Sequence, residues 1–317
     1  MSTPLASILI PAYNSHDFIT ETLQSCIDQT YPDVEIVVVD DGSKDDTLKI
    51  AKEWEAKHAN IHVYSQPNAG ACVARNLALE KSSGDYVMFL DADNVISPNK
   101  VETQANALLA VKDDMAVATC PWDRFYTSIQ DATFPRQKVY RDYDYAFDML
   151  LDLWNHSEMF ETACYLISRE LALKAGPWLP GLLKNQDGEY FSRVLANASK
   201  VCFCKDAKLY YRTGDYDSVS KESSKAKIEA LLDSFVQYEK TALRRENSKR
   251  VKTALTRNFS LFMYLYYGKY PDLCAKARAE IRAMGMRPLP SGTKRTKAVS
   301  RLIGLGNFLK IRNLLRR

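Results

Sequence analysis

The sequence predicts an α/β domain built on a mainly parallel central sheet flanked by helices, with a helical appendage after it. Apolar strand-like runs and amphipathic helical stretches alternate four times within the first hundred residues. This is the pattern of βαβ units joined by right-handed crossovers. The strand run Tyr86 to Leu90, "YVMFL", is almost entirely apolar, and "VEIVVVD" is largely so before it ends in acid, as expected where both faces of a sheet are covered. From Lys221 onward strand-like runs stop, and Ile228, Leu231, Leu232 and Phe235 keep helical spacing.

Each element follows in order. "ASILIPAYN" reads as a strand ending in a Pro-containing turn, and "SHDFITETLQSCIDQT" as a helix capped by Ser15, with Phe18, Ile19, Leu23, Cys26 and Ile27 on one face. "VEIVVVDDGS" is a second strand ending in acids, and "KDDTLKIAKEWEAKH" a helix for Ser43 to cap. "IHVYSQ" is a third strand, and "NAGACVARNLALEKSSG" a Gly-containing loop entering a helix. The fourth strand, in "GDYVMFLDADNVISP", ends in Asp91 and Asp93. After Pro98 come a helix around 101–111, a single strand "MAVATCPW" and an aromatic-rich polar stretch to Tyr145. "ETACYLISRELALKAGPW" reads as a strand and short helix stopped by Gly, and "NQDGEYFSRVLANAS" as an acidic loop entering a helix. The expected division is a catalytic domain over 1–219, in halves 1–98 and 99–219, then a helical region over 220–290 and a tail over 291–317. "RPLPSGTK" is the expected hinge before the tail.

Composition narrows the class. A chain of 317 residues with 46% hydrophobic content can build its core without staples. Seven scattered cysteines include no paired CxxC at zinc spacing, so reduced core residues are expected. His16, His58, His62 and His156 form no metal spacing and read as surface or packing residues. The start lacks a basic stretch followed by a long apolar one, and nothing approaches the ~20 apolar residues of a membrane span. A cytoplasmic protein is expected, peripheral to the inner face of the membrane if the tail binds there.

The net charge of +4 is unevenly spread: residues 294–317 hold eight Lys or Arg and no acid. The tail is suited to anionic lipid, to docking on the protein's own helices or to a subunit contact. No nucleic-acid partner is expected. On one continuous helix its apolar residues spread widely, and Gly304 and Gly306 weaken the middle.

Three strand ends carry the chemistry: Pro11 to Asn14, Asp40 with Asp41, and Asp91 to Asn94. Asp is common wherever a strand becomes a loop. In a parallel sheet, however, ligands bind beyond the carboxyl ends of the strands, and two carboxylates there suit Mg²⁺ or Mn²⁺ carrying phosphate. The motifs "SILIPAYN", "VVVDDGSKDDT", "NAGACVARNLAL", "YVMFLDADN" and "NQDGEYFSRVL", in this order over roughly Ala6 to Leu195, resemble glycosyltransferase family 2, the inverting GT-A enzymes that use nucleotide sugars.

The resemblance implies a GT-A fold and a donor seat made by Pro11, Ala12, Tyr13, Asp41, Asn68, Gly70, Arg75, Asp91 and Ala92. Tyr13 can stack on a base or simply pack. Asp41 resembles the acid that accepts from the uracil imide, which favours a UDP-sugar; its alternative is a helix-capping acid, a job that Ser43 with Asp46 can do instead. Arg75 can offset phosphate charge or pair with Asp91. Asp93, with Asp91, is the implied site for Mn²⁺ or Mg²⁺. The implied base is Asp187, in a position where family members carry Glu-Asp and this chain has Gln186-Asp187. Gln removes a like charge beside the base. Glu189 is the runner-up, with a helix first-turn role as its alternative.

The QxxRW motif and membrane spans of processive relatives are absent from the sequence, so addition of a single sugar to a hydroxyl is expected. The acceptor would be a saccharide or lipid-linked glycan in cell-surface polysaccharide synthesis. A nucleotidyltransferase is the alternative enzyme, but its Gly-rich basic phosphate loop is missing from "IPAYNSHD". A catalytically silent nucleotide-sugar sensor or scaffold is the alternative outside enzymes.

Overall fold

The computed structural model describes residues 3–214 and 224–315. They group into two compact units, one of residues 3–149, 159–181 and 193–214, the other of 150–158, 182–192 and 224–315. The expected boundary at 219–220 lies outside the described residues.

In chain order the first elements are β1 (Ala6–Ala12), α1 (Ile19–Ile27), β2 (Val34–Asp40), α2 (Thr47–Glu55), β3 (Ile61–Ser65), α3 (Ala71–Lys81) and β4 (Tyr86–Phe89). Then follow β5 (Val95–Ile96), α4 (Lys100–Val111), β6 (Val117–Thr119), β7 (Trp122–Phe125), α5 (Ala146–His156), β8 (Leu166–Ser168), α6 (Arg169–Ala175), α7 (Gln186–Asn197), β9 (Val201–Phe203) and β10 (Leu209–Arg212). A seven-stranded sheet runs β3-β2-β1-β4-β8-β6-β9, with β8 antiparallel to both neighbours and every other pairing parallel. All seven residues of β2 and all four of β4 are buried, which accounts for the apolar run of β4 and for the largely apolar β2, where the buried Glu35 is satisfied by Ser7, Ser83 and Gly84.

Strand order reverses at β1, with β2 on one side and β4 on the other. There the two neighbours part. The last β1–β4 pair is Leu9 with Phe89, whereas β1 stays paired with β2 as far as Ala12 and Asp40. Backbone donors alternate sides along a strand, and Ala6 donates towards the β2 side. Pro11, with no N–H, therefore falls on the side where β4 has already left. The result is a crevice at a topological switch point, where open α/β sheets take their ligands.

Two helix starts differ from expectation. α1 begins at Ile19 with Phe18 as N-cap, and the Ser15 hydroxyl donates to the Tyr13 carbonyl instead. α2 begins at Thr47 with Asp46 as N-cap and no side-chain cap, while the Ser43 hydroxyl accepts from the Asn14 N–H at 3.0 Å. The loops claim both hydroxyls. The Ser15 N–H donates to the Thr47 hydroxyl (2.7 Å) and the Lys44 N–H to Asn14 Oδ1 (2.9 Å), which laces the β1–α1 loop to the β2–α2 loop. The expected single strand "MAVATCPW" is also two: β6 in the large sheet and β7 in a three-stranded sheet ordered β5-β10-β7. Pro121 stands between them, unable to donate to a ladder.

The second unit holds α8 (Lys225–Arg245), α9 (Lys249–Tyr266), α10 (Pro271–Ala283), α11 (Lys294–Ile303) and α12 (Leu305–Leu314). Ser224 and Ser248 cap α8 and α9 through their side chains. Ile228, Leu232, Leu255, Phe259, Phe262 and Ile281 are buried in its core. The expected hinge is tied down: the Leu289 N–H donates to Ser260 Oγ at 2.9 Å, and a Cβ at Gly292 would meet the Tyr264 ring at 2.3 Å. The tail is not one helix either, because Gly304 at φ +79° ends α11 and begins α12.

Candidate active site

The first unit gathers the strand-end residues at the β1–β4 crevice. After β2 the chain turns at Gly42, with φ +71°, and a Cβ there would lie 2.8 Å from the Asn68 nitrogen. Only glycine meets both conditions. The turn sets Asp41, which is buried, beneath the loop entering α3: its carboxylate accepts from Gln66 Nε2 (2.7 Å), the Ala69 N–H (2.8 Å) and the Gly70 N–H (2.8 Å). Asn68 returns a bond to the Asp41 carbonyl at 2.9 Å. Asp41 thus caps a loop, though the α3 approach and not α2. Of about four acceptor positions on a carboxylate, three are taken. Tyr13 stands 45% exposed, while Ala12 is buried with its carbonyl accepting from the Asp41 N–H.

The second cluster follows β4. Asp91 accepts from Arg75 Nη2 at 2.7 Å, and the Arg75 guanidinium lies 4.5 Å from the centre of the Trp178 ring. The pairing with Asp91, one of the two roles open to Arg75, is thus present in the fold. The turn beyond is held from several sides. Thr22 Oγ1 donates to the Ala92 carbonyl (3.0 Å), Arg212 Nε to the Asp93 carbonyl (2.9 Å), and the Arg212 N–H to Asn94 Oδ1 (3.0 Å). The Arg212 guanidinium also pairs with Glu21 and lies over the rings of Phe125 (4.4 Å) and Phe18 (5.0 Å). Ala92 and Asn94 are buried, whereas Asp93 remains partly open to solvent.

The roles of Glu21, Gln66, Trp178 and Arg212 carry no signal in the sequence. Arg212 and Glu21 lie 191 positions apart, and no local pattern joins them. Arg212→Ala is expected to destabilise the protein by about 1–3 kcal/mol, the usual penalty for orphaning buried polar groups. Arg212→Lys should recover only part, since an ammonium cannot reproduce a planar, stacked fork. Denaturant unfolding of both variants checks this.

Asp187 belongs to the second unit, in the first turn of α7. Asn185 precedes it at φ +62°, and its Nδ2 donates to Ser234 Oγ (2.8 Å) and Tyr238 Oη (2.7 Å). Trp154 stacks on the Tyr238 ring, with centroids 4.9 Å apart. Gly188 is required here, because a Cβ would meet Tyr238 Oη at 2.2 Å. Asp187 is half-buried, and Glu189, the runner-up, is only 1% exposed. Burial and the nearby acids push the Tyr238 hydroxyl well above its ordinary range, so it stays a neutral partner.

The parting strands and the acids at their ends define a GT-A fold. Residues 7–174, over half the chain, match the family model described as "Glycosyl transferase family 2", and the chain belongs to that family. TuaG of Bacillus subtilis, a putative teichuronic acid biosynthesis glycosyltransferase, is 43% identical over 107 residues, which is 33% of this chain and 42% of that one. YibD of Escherichia coli, also named a glycosyltransferase, is 39% identical over 122 residues, covering 38% and 35%. The matched stretch thus spans less than half of either relative. Among solved structures, residues 1–349 of S. aureus TarS in complex with UDP-GlcNAc superimpose with a TM-score of 0.72 at 18% identity, over 98% of this chain and 91% of that one. A mannosyltransferase of Pyrobaculum calidifontis in complex with GDP-Man and Mn²⁺ gives 0.56 at 19% identity, over 100% and 89%.

Proposed function

We propose that this protein is a non-processive, inverting glycosyltransferase that moves a sugar from a UDP-linked donor to a hydroxyl of a saccharide or lipid-linked glycan in cell-surface polysaccharide assembly. The observation that carries the proposal is the crevice beyond β1 and β4, with Asp41 on one wall and the braced Asp91–Asn94 turn on the other. Tyr13 would stack on the base, and the remaining acceptor position of Asp41 suits a uracil imide N–H. Asn68 and Gly70 would bring backbone close to the nucleotide. The UDP-GlcNAc held by TarS, whose fold this chain shares, supports a uridine donor.

The residues fit a divalent ion. No trio of His, Cys, Asp or Glu able to hold a metal occurs among the described residues. An ion such as Mg²⁺ needs only one or two carboxylates when phosphate and water complete its shell. Asp93 would hold it, with the second carboxylate oxygen of Asp91 as a further ligand. Such an ion neutralises the charge that grows on a departing diphosphate. Asp187 would take the proton from the acceptor hydroxyl as that oxygen attacks the anomeric carbon from the side opposite the nucleotide, which inverts the centre. The burial of Glu189 supports Asp187 over it.

The test is a titration of UDP-, GDP- and dTDP-sugars, with and without Mn²⁺, followed by donor hydrolysis and thermal shift. A uridine-selective, metal-dependent response is expected. Guanine selectivity would overturn the donor assignment; binding of all donors without turnover, acceptors included, would leave a silent sensor.

A further inference from the structure

The break at Gly304 resolves the unclear amphipathicity of the tail, because each helix now has its own face. On α11, Val299, Leu302 and Ile303 fall at i, i+3 and i+4, one stripe, and are 43%, 86% and 38% exposed. Lys294, Lys297 and Arg301 lie on the opposite side of the same helix. α12 docks through Leu305 and Leu309, 1% and 0% exposed, and turns Ile311, Leu314 and Leu315 outward at 48%, 71% and 83%. Docking on the protein's own helices, expected as one alternative for the tail, is thus true of two leucines and leaves six large apolar side chains in water.

Such a patch on a folded protein marks an interaction surface, and its charge selects the partner. Residues 294–315 contain Lys294, Arg295, Lys297, Arg301, Lys310 and Arg312 and no acid. Beside the last turns of α12, a cavity of about 250 Å³ is lined by Leu265, Gly268, Lys269, Arg312 and Asn313. Arg312 is held there by a 2.6 Å bond to the Tyr264 carbonyl and by stacking 4.6 Å over the Tyr264 ring. A protein partner could cover the leucines, but the six basic residues and absence of acids within the tail itself call for a surface dense in negative charge. No helix among the described residues is long and apolar enough to cross a membrane, so contact would be interfacial.

We infer that α11 and α12 form a docking face for an anionic lipid bilayer, with the exposed apolar side chains in the headgroup boundary and the Lys269–Arg312 cavity seating a lipid phosphate. Interfacial helices bind in this way, by apolar insertion together with attraction to anionic lipid. The inference does not rest on the proposed donor or acceptor, and its test needs neither.

Full-length protein is sedimented with vesicles of phosphatidylcholine alone and of phosphatidylcholine mixed with phosphatidylglycerol. Binding to the anionic vesicles only is expected, falling steeply as salt rises. Leu302→Glu with Leu314→Glu should lower it by about tenfold or more, with an unchanged thermal melt because both side chains are exposed. Lys269→Glu should weaken it several-fold. No vesicle binding at low salt, equal binding to both vesicles, or full binding by the double variant would each overturn the inference. So would a concentration-dependent dimer that the double variant abolishes, in the absence of vesicle binding.

Discussion

Asp93→Asn is expected to lower turnover by roughly 10²–10³, the scale on which loss of one electrostatic contact to developing charge is felt, and to remove metal-dependent tightening of UDP binding. The substitution leaves in place the bonds that brace the turn through the Asp93 carbonyl and the Asn94 side chain. Asp91→Asn makes the contrast. It breaks the pair with Arg75, whose side chain is 8% exposed, so it should cost about 1–3 kcal/mol in stability. Turnover, chelator response and unfolding, measured on both variants, separate Asp93, proposed as a ligand alone, from Asp91, a brace proposed as a further ligand. Full activity of Asp93→Asn in the presence of chelator would remove Asp93 from the mechanism.

Asp187→Asn should bind the donor normally yet transfer poorly, with kcat reduced by about 10²–10⁴, as for other lost general bases. Asn matches Asp in size, and the bonds that set this turn come from Asn185. Glu189→Gln should act differently: a change at a buried position ought to appear in unfolding more than in kcat. Were Glu189→Gln to abolish transfer while Asp187→Asn did not, the assignment of the base would be reversed.

Why part of this was legible in the sequence is a matter of range. Strands and helices of the sheet are written in periodicity and in unbroken apolar runs, and β1 to β4 fall where those runs stand. Acids at strand ends are equally local signals. The bracing is not local. The Arg212 contacts join β10 to the turn after β4 and to α1, and Trp178 meets Arg75 across a hundred positions; their residue types carry no trace of the pairing. The misplaced caps have the same origin: Ser15 and Ser43 look like caps, but bonds with Tyr13 and Asn14 claim their hydroxyls. In the tail, a one-helix reading could not anticipate that Gly304 would divide the apolar residues between a docked set and an exposed one.

Under the proposed function, the Arg75–Asp91 pair would also bear on how quickly a nucleotide arrives. Two acids beside a phosphate site would repel an incoming diphosphate before any ion had been recruited. With Asp91 neutralised internally by a guanidinium already seated on Trp178, its carboxylate would add little to the field that the approaching anion meets. Encounter rates respond to the summed local field, and repulsion slows them most at low ionic strength. The brace would therefore also lower the electrostatic barrier to a diphosphate entering the proposed site.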